Sequence, residues 1–268
     1  MLFDLQSPGR RRVIKVIYSI LAILLAVGLV GFGIGSDATG GISDIFSSGG
    51  SGDTGFEDEI EDREQDAEEN PRNPRAQLEL VTLYIQDGNA KLDQDESTGQ
   101  TLVTAEARES YNKAADAFAA YQALKPKNFD TGAAIQMANT YFLMAQAPDQ
   151  TLTDALAQVE NAAEVQQIAA DAEPNRGNLN NLAYYRFLAG DFDRAEQAAR
   201  QAIAKAPKDE RADLRKEFQQ LRKQGEALQK QARQEQKAQQ QGQQQGGEGT
   251  NPLEGGGALG GGGALGTP

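Results

Sequence analysis

The side chains available for chemistry are carboxylates, amines, amides and hydroxyls: 39 Asp and Glu against 26 Lys and Arg, with no Cys and no His. That composition excludes a thiolate nucleophile, a Ser-His-Asp triad and imidazole or thiolate metal sites together. It also removes the usual near-neutral general base. Carboxylates or Lys could still act, but no motif clusters them, so no catalytic, cofactor-binding or metal-binding residue is assigned and none is expected. The missing Cys also excludes a lipid anchor of the lipoprotein type. A net charge of -13 and a pI of about 4.6 make the chain a poor general binder of nucleic acid, and no basic and aromatic residues interleave to suggest otherwise.

The charges that are organised lie around one apolar run. Val16 to Ile34 carries no charge. At 1.5 Å per residue it spans roughly 28 Å, close to a hydrocarbon core. Arg10, Arg11, Arg12 and Lys15 precede it; Asp37, Asp44, Asp53 and an acidic stretch follow it. Basic flanks stay cytoplasmic, so a transmembrane helix over 16–35 is expected, with residues 1–15 inside and all later residues outside. A cleaved signal peptide is the alternative, against which stand the long core and the lack of an Ala-x-Ala site. Gly9 to Lys15 is also similar to a twin-arginine export signal, with Gly9 where Ser or Thr is favoured. Either alternative leaves the rest of the chain outside the cytoplasm.

Residues 36–55 are rich in Gly, Ser and Asp and are expected to form a flexible tether. Beyond them an Ala/Gln/Glu/Leu-rich segment favours helix. With aromatics at 6% and no Trp, its core must be built from Ala and Leu, which suits a helical array. In 56–69, Phe56, Ile60, Glu64 and Ala67 give one modest helical stripe among acids.

The middle of the chain repeats. Arg176 to Pro207 encodes two amphipathic helices around Gly190-Asp191, a turn where Gly accepts a helix-end conformation. Leu179, Leu182 and Ala183 share one face; Ala195, Ala199, Ala202 and Ile203 share another; Pro207 ends the unit. A similar pair is expected from Ala134, Met137, Ala138, Tyr141 and Phe142 with a partner over 153–172. Another joins Leu78, Val81, Tyr84 and Ile85 to a helix bearing Ala114, Ala115, Phe118, Ala119 and Leu124. Residues 87–103 are a polar insertion in that pair, some of which is expected to prolong the second helix. Pro71, Pro126, Pro174 and Pro207 each follow an Ala-bearing helix. The first of them marks 56–71 as a half-repeat that covers the start of the array.

Asp209 to Gln239 continues as one helix whose Leu214, Phe218, Leu221, Gly225 and Leu228 form a narrow seam. The seam is expected to cover the last repeat; a two-stranded coiled coil is the alternative. The Gln- and Gly-rich residues 240–268 cannot bury enough apolar surface to order themselves. The expected fold class is thus all-α: a transmembrane helix, a short solenoid over 56–207 (56–71, then about 74–126, 131–174 and 176–207), a capping helix over 208–239 and a disordered tail.

The Arg176–Pro207 unit resembles the tetratricopeptide repeat in Ala183, Gly190, Asp191, Phe192, Ala195, Ala202 and Pro207, at that family's spacing. Leu179 stands for its first Trp, and Arg186 and Ala199 stand where aromatics are usual. The resemblance implies a groove lined by the first helices that binds peptides or partner helices. It places Gln136, Asn139, Asn180, Asn181 and Tyr184 there, where Asn and Gln can satisfy backbone groups of an extended peptide. The Lys/Arg clamp that some members use on acidic C-termini is missing. The resemblance to single-pass bacterial repeat proteins implies an extracytoplasmic scaffold or chaperone-type adaptor in the cell membrane, whose partners are proteins and, through 16–35, the bilayer. A biogenesis factor for an exported enzyme or cytochrome is the second reading, and an envelope enzyme the third. A second copy of the chain is compatible with the sequence, which gives no indication of one.

Overall fold

A computed structural model describes residues 56–95 and 101–245. The expected transmembrane helix, the linker 36–55 and the tail beyond Gln245 lie outside the described residues. Among those described, no helix is long and apolar enough to cross a membrane.

Eight helices account for most of the described chain: α1 Phe56–Glu69, α2 Pro74–Ala90, α3 Ala105–Ala123, α4 Thr131–Met144, α5 Leu152–Ala172, α6 Arg176–Ala189, α7 Phe192–Lys205 and α8 Arg211–Gln245. Successive helices pack as α1 on α2, α2 on α3, α3 on α4, α4 on α5, α5 on α6 and α6 on α7, and α2 also meets α4. One apolar cluster runs from Ala67 on α1 to Ala232 on α8, much of it Ala. Small side chains let helix backbones approach closely, so dispersion contacts accumulate without large residues.

The punctuation between helices does two jobs. Pro71, Pro126 and Pro174 follow α1, α3 and α5, as expected of a residue that cannot continue a helix. The next polar residues then cap the following helix. Asn73, Asp130 and Asn175 accept from the backbone N–H groups of Arg75, Ala133 and Asn178 at the starts of α2, α4 and α6. Thr104 caps α3, and Thr151 with Asp154 forms a capping box on α5. The α6–α7 turn is the tightest: Gly190 has φ 86° and ends α6, while Asp191 caps α7.

The insertion of the first pair differs from its expectation. Helix α2 stops at Ala90 and the chain then forms a short antiparallel ladder, β1 Asp93–Gln94 with β2 Thr101–Leu102, pairing Asp93 with Leu102 and Gln94 with Thr101. Val103, just after it, is buried in a second apolar cluster with Ala107, Tyr111, Met144 and Ala147. Residues 87–90 of the insertion prolong α2, the first helix of the pair and not the second, and the part around Val103 is pinned over α3 and the end of α4.

Helix α8 begins at Arg211 and continues through Gln245, past the point where composition placed the onset of disorder. Its seam residues Leu214, Phe218, Leu221, Gly225 and Leu228 are all buried. Phe218 meets Phe187 of α6 at 6.1 Å between ring centroids, and a Cβ on Gly225 would overlap the Phe187 carbonyl oxygen. Gln229 donates to the Ala189 carbonyl at 2.8 Å, and Arg222 lies over the Phe192 ring and pairs with Glu196 of α7. The seam is thus consumed inside the chain and is not left for a coiled-coil partner. One compact unit ends at Ala232; a second begins at Arg233, whose described part is a polar, Gln-rich helical stretch.

Candidate functional site

The first helices of the three pairs, α2, α4 and α6, begin at Pro74, Thr131 and Arg176. Counting from those starts places equivalent residues in rows. Leu78, Ile135 and Asn180 form one row; Glu79, Gln136 and Asn181 the next; Thr82, Asn139 and Tyr184 a third. The two positions between the second and third rows are buried in every helix: Leu80 and Val81, Met137 and Ala138, Leu182 and Ala183. The three rows are instead partly exposed, except Gln136, which is exposed, and Tyr184, which is buried. Helical spacing gathers these rows into a stripe on one side of each first helix, although Leu78 and Ile135 also pack against the core.

The sequence-derived residues take different roles in that stripe. Gln136 is open to solvent. Asn139 does not stand free: its carbonyl oxygen accepts from the Tyr185 hydroxyl at 2.9 Å, tying α4 to α6. Asn180 and Asn181 are half-exposed on α6. Tyr184 corrects the expectation of a groove-facing side chain. Only 7% exposed, it lies edge-on to Phe142 of α4 at 5.6 Å and to Tyr185 at 5.6 Å. Phe142 comes from the preceding pair, so the residue that covers Tyr184 lies 42 positions upstream (184 − 142). Burial pushes both the Tyr184 and Tyr185 phenols above their ordinary range, Tyr185 also serving as the donor to Asn139.

Two polar atoms at these positions are buried without a hydrogen-bond partner among the described residues: Asn180 Oδ1 and Tyr184 Oη. Such atoms are uncommon in folded chains. The stripe also has a charged border. Helix α1 packs on α2, its Arg63 reaching Glu79 at 3.4 Å and its Glu64 accepting from the Tyr84 hydroxyl. Glu79 holds Arg75 as well, at 2.8 Å. The outward carboxylates Glu57, Asp58, Glu59, Glu61, Asp62 and Glu68 of α1 are exposed and carry no ion pair among the described residues.

A second polar cluster, which sequence reasoning missed, sits between α2 and α3. Asp87 is 3% exposed, yet Lys91 Nζ lies 2.6 Å and Ser110 Oγ 2.5 Å from its Oδ2; Lys91 also donates to Ser110 at 3.2 Å. A hydroxyl, an amine and a carboxylate this close invite a catalytic reading. The geometry gives a clasp instead. Lys91 Nζ is paired with the Asp87 carboxylate and Ser110 is only 3% exposed, so the three groups hold one another. Thr104 Oγ1 donates to the Lys91 carbonyl at 2.8 Å and so fastens the far side of the insertion to the same point. The spacing Asp87-x-x-x-Lys91 was visible as a helical ion pair; its burial against Ser110 was not.

Arg186, the departure from an aromatic position, is 4% exposed and donates to Asp191 Oδ2 at 3.0 Å. It binds the end of α6 to the residue that caps α7. Among the described residues, no group of His, Cys, Asp and Glu is placed to hold a metal ion. In comparisons with protein-family models, curated proteins and solved structures, nothing matches this chain.

Proposed function

We propose that this chain is a membrane-anchored scaffold or adaptor that binds other proteins through the stripe on α2, α4 and α6, and that it belongs with tetratricopeptide-repeat adaptors. The observation that carries the reading is the register of the stripe: three successive helix pairs leave equivalent positions of their first helices at least partly open, apart from the buried Tyr184, and the open ones hold four amides, a carboxylate, a hydroxyl and two aliphatic side chains. That mixture suits a partner backbone and small apolar side chains. The stacked pairs support an array in which each unit buries its neighbour's face and leaves a repeated surface for recognition. The apolar run 16–35 with its basic flank supports anchoring, with the array on the extracytoplasmic side and a chaperone-like role in envelope assembly.

The test is capture in native membranes. The full-length chain, crosslinked in place and purified, should retain one or a few proteins that a variant lacking residues 56–207 does not. Retention of the same proteins by both chains would contradict the reading. Protease added to intact spheroplasts should remove 56–240, and full protection would put the array in the cytoplasm.

A further inference from the structure

We infer that the outward face of α8 lies on the anionic headgroups of the bilayer that holds the chain's own apolar run. This contact rests on the anchored reading above. It adds a second, electrostatic hold that sets which side of the array meets the lipid.

The seam residues Leu214, Phe218, Leu221, Gly225, Leu228 and Ala232 are buried. At about 3.6 residues per turn, Lys216, Lys223 and Lys230 fall roughly 180° from the middle of that seam, in a row with a spacing of about 10 Å. All three are exposed. Lys216 pairs with Asp213, whereas Lys223 and Lys230 form no ion pair among the described residues. Glu226, on the same side of the helix, is engaged by Arg222. In the sequence the seven-residue spacing continues at Lys237. A chain of net charge -13 thus collects a line of ammonium groups on a helix face turned away from the array.

Gln219, Gln220 and Ala227 stand exposed beside the row. They supply no aromatic or large apolar anchor, and Lys is depleted at the cores of protein interfaces, where Tyr, Trp and Arg dominate. A lysine is a hydrated point charge without the planar fork that arginine brings to a defined acceptor. A line of such charges suits a laterally continuous anionic surface, which needs no pocket. The acidity of the rest of the chain disfavours nucleic acid as that surface.

Residues 36–55 join the apolar run to α1, and a Gly- and Ser-rich segment of that length is expected to reach roughly 25 Å. The array is thereby held close to the bilayer, so a face with few cations meets it at high effective concentration. Helix α1, with Glu57, Asp58, Glu61 and Asp62 exposed, is repelled by the same surface. The two ends of the array then turn in opposite senses, α8 toward the lipid and α1 off it.

The test uses the full-length chain, which has no Cys, so one dye at Ala227→Cys reports on the α8 face and one at Gln65→Cys reports on α1. The chain is placed in nanodiscs of zwitterionic lipid, or of the same lipid mixed with phosphatidylglycerol, with an acceptor dye on the headgroups. Energy transfer from position 227 should rise with the anionic lipid and fall again with added salt, while transfer from position 65 does not rise. Lys223→Gln and Lys230→Gln should each shift the equilibrium away from the surface about fivefold. Arg at both positions should preserve it, and none of these changes should move the unfolding midpoint, because both side chains are exposed. Transfer from position 227 that ignores lipid charge, or that survives the double Gln substitution, would overturn the inference. A photo-crosslinker at position 227 that gives a discrete protein adduct in native membranes and no lipid adduct would assign the face to an acidic protein and overturn it as well. A chain that does not enter nanodiscs would sink the anchored reading itself, whereas one that enters and shows no response to lipid charge sinks this inference alone.

Discussion

The first and third helix pairs solve one packing problem with different joints. In α6–α7 the joint is two residues long: Gly190 takes a left-handed conformation, Asp191 caps α7, and Arg186 clamps the turn from inside. In α2–α3 the joint is the ladder-bearing insertion, and closeness is enforced by the Asp87–Lys91–Ser110 clasp and by Tyr111 lying across Gly88. A short joint sets helix geometry chiefly by backbone conformation, with one side-chain clamp from Arg186. A long joint leaves that freedom and needs side-chain contacts to remove it, since loop length itself costs little entropy to extend. The first pair should therefore be fragile at its side chains and the third at its backbone.

Substitutions can break that contrast. The largest effect is expected from Gly88→Val, where a side chain would overlap the Tyr111 ring. Overpacking of this kind costs about 3 kcal/mol, and hydrogen exchange should show the loss in α2 and α3 before α6 and α7. Lys91→Ala comes next. It leaves the Asp87 charge buried with Ser110 alone and should cost about 2 kcal/mol, less than a fully sealed pair because Lys91 is partly exposed. Chemical denaturation measures both, and a loss shared evenly among all pairs would argue against separate joints. Gly190→Ala is expected to cost about 1–2 kcal/mol from its left-handed backbone. The Gln229 side chain above it can move aside, so Gly190→Asn should recover part of the loss.

The smallest effect joins the two pairs. Burial raises the phenols of Tyr111 in the first pair and Tyr185 in the third above the ordinary value. A raised folded pKa of a group that is neutral when protonated means that the unfolded chain ionises first. Stability is then unaffected below roughly pH 10 and falls as pH rises past it. Tyrosinate absorbance should appear with loss of helix, not ahead of it; ionisation of these phenols in the still-helical chain would contradict their burial.

Legibility in the sequence follows the same division. The third pair could be read because its joint is local: Gly190, Asp191 and the Ala positions lie within one short window. The stop signals were legible too, although Asn73, Asp130 and Asn175 also start the next helix, a role that the same prolines could have revealed. The first pair could not be read as well, because Ser110 meets Asp87 across the whole insertion. The site divides likewise. The exposure of Gln136 follows from helical spacing, whereas Tyr184 and Asn139 are claimed by Phe142 and Tyr185 of neighbouring pairs. Periodicity within one helix carries no information about which aromatic ring of another helix will lie on it. The seam of α8 was legible as a 4-3 pattern, but its partner was fixed by Gly225 fitting beneath Phe187.

The central claim is that partners dock on the shared face of α2, α4 and α6 and not on the outer faces of the second helices. A photo-crosslinking residue at Gln136, exposed on that face, can be compared in the same membranes with one at Glu160, exposed on α5. The account predicts a discrete adduct from position 136 of the full-length chain and none above background from position 160. Adducts of equal strength at both positions, or at position 160 alone, would contradict it.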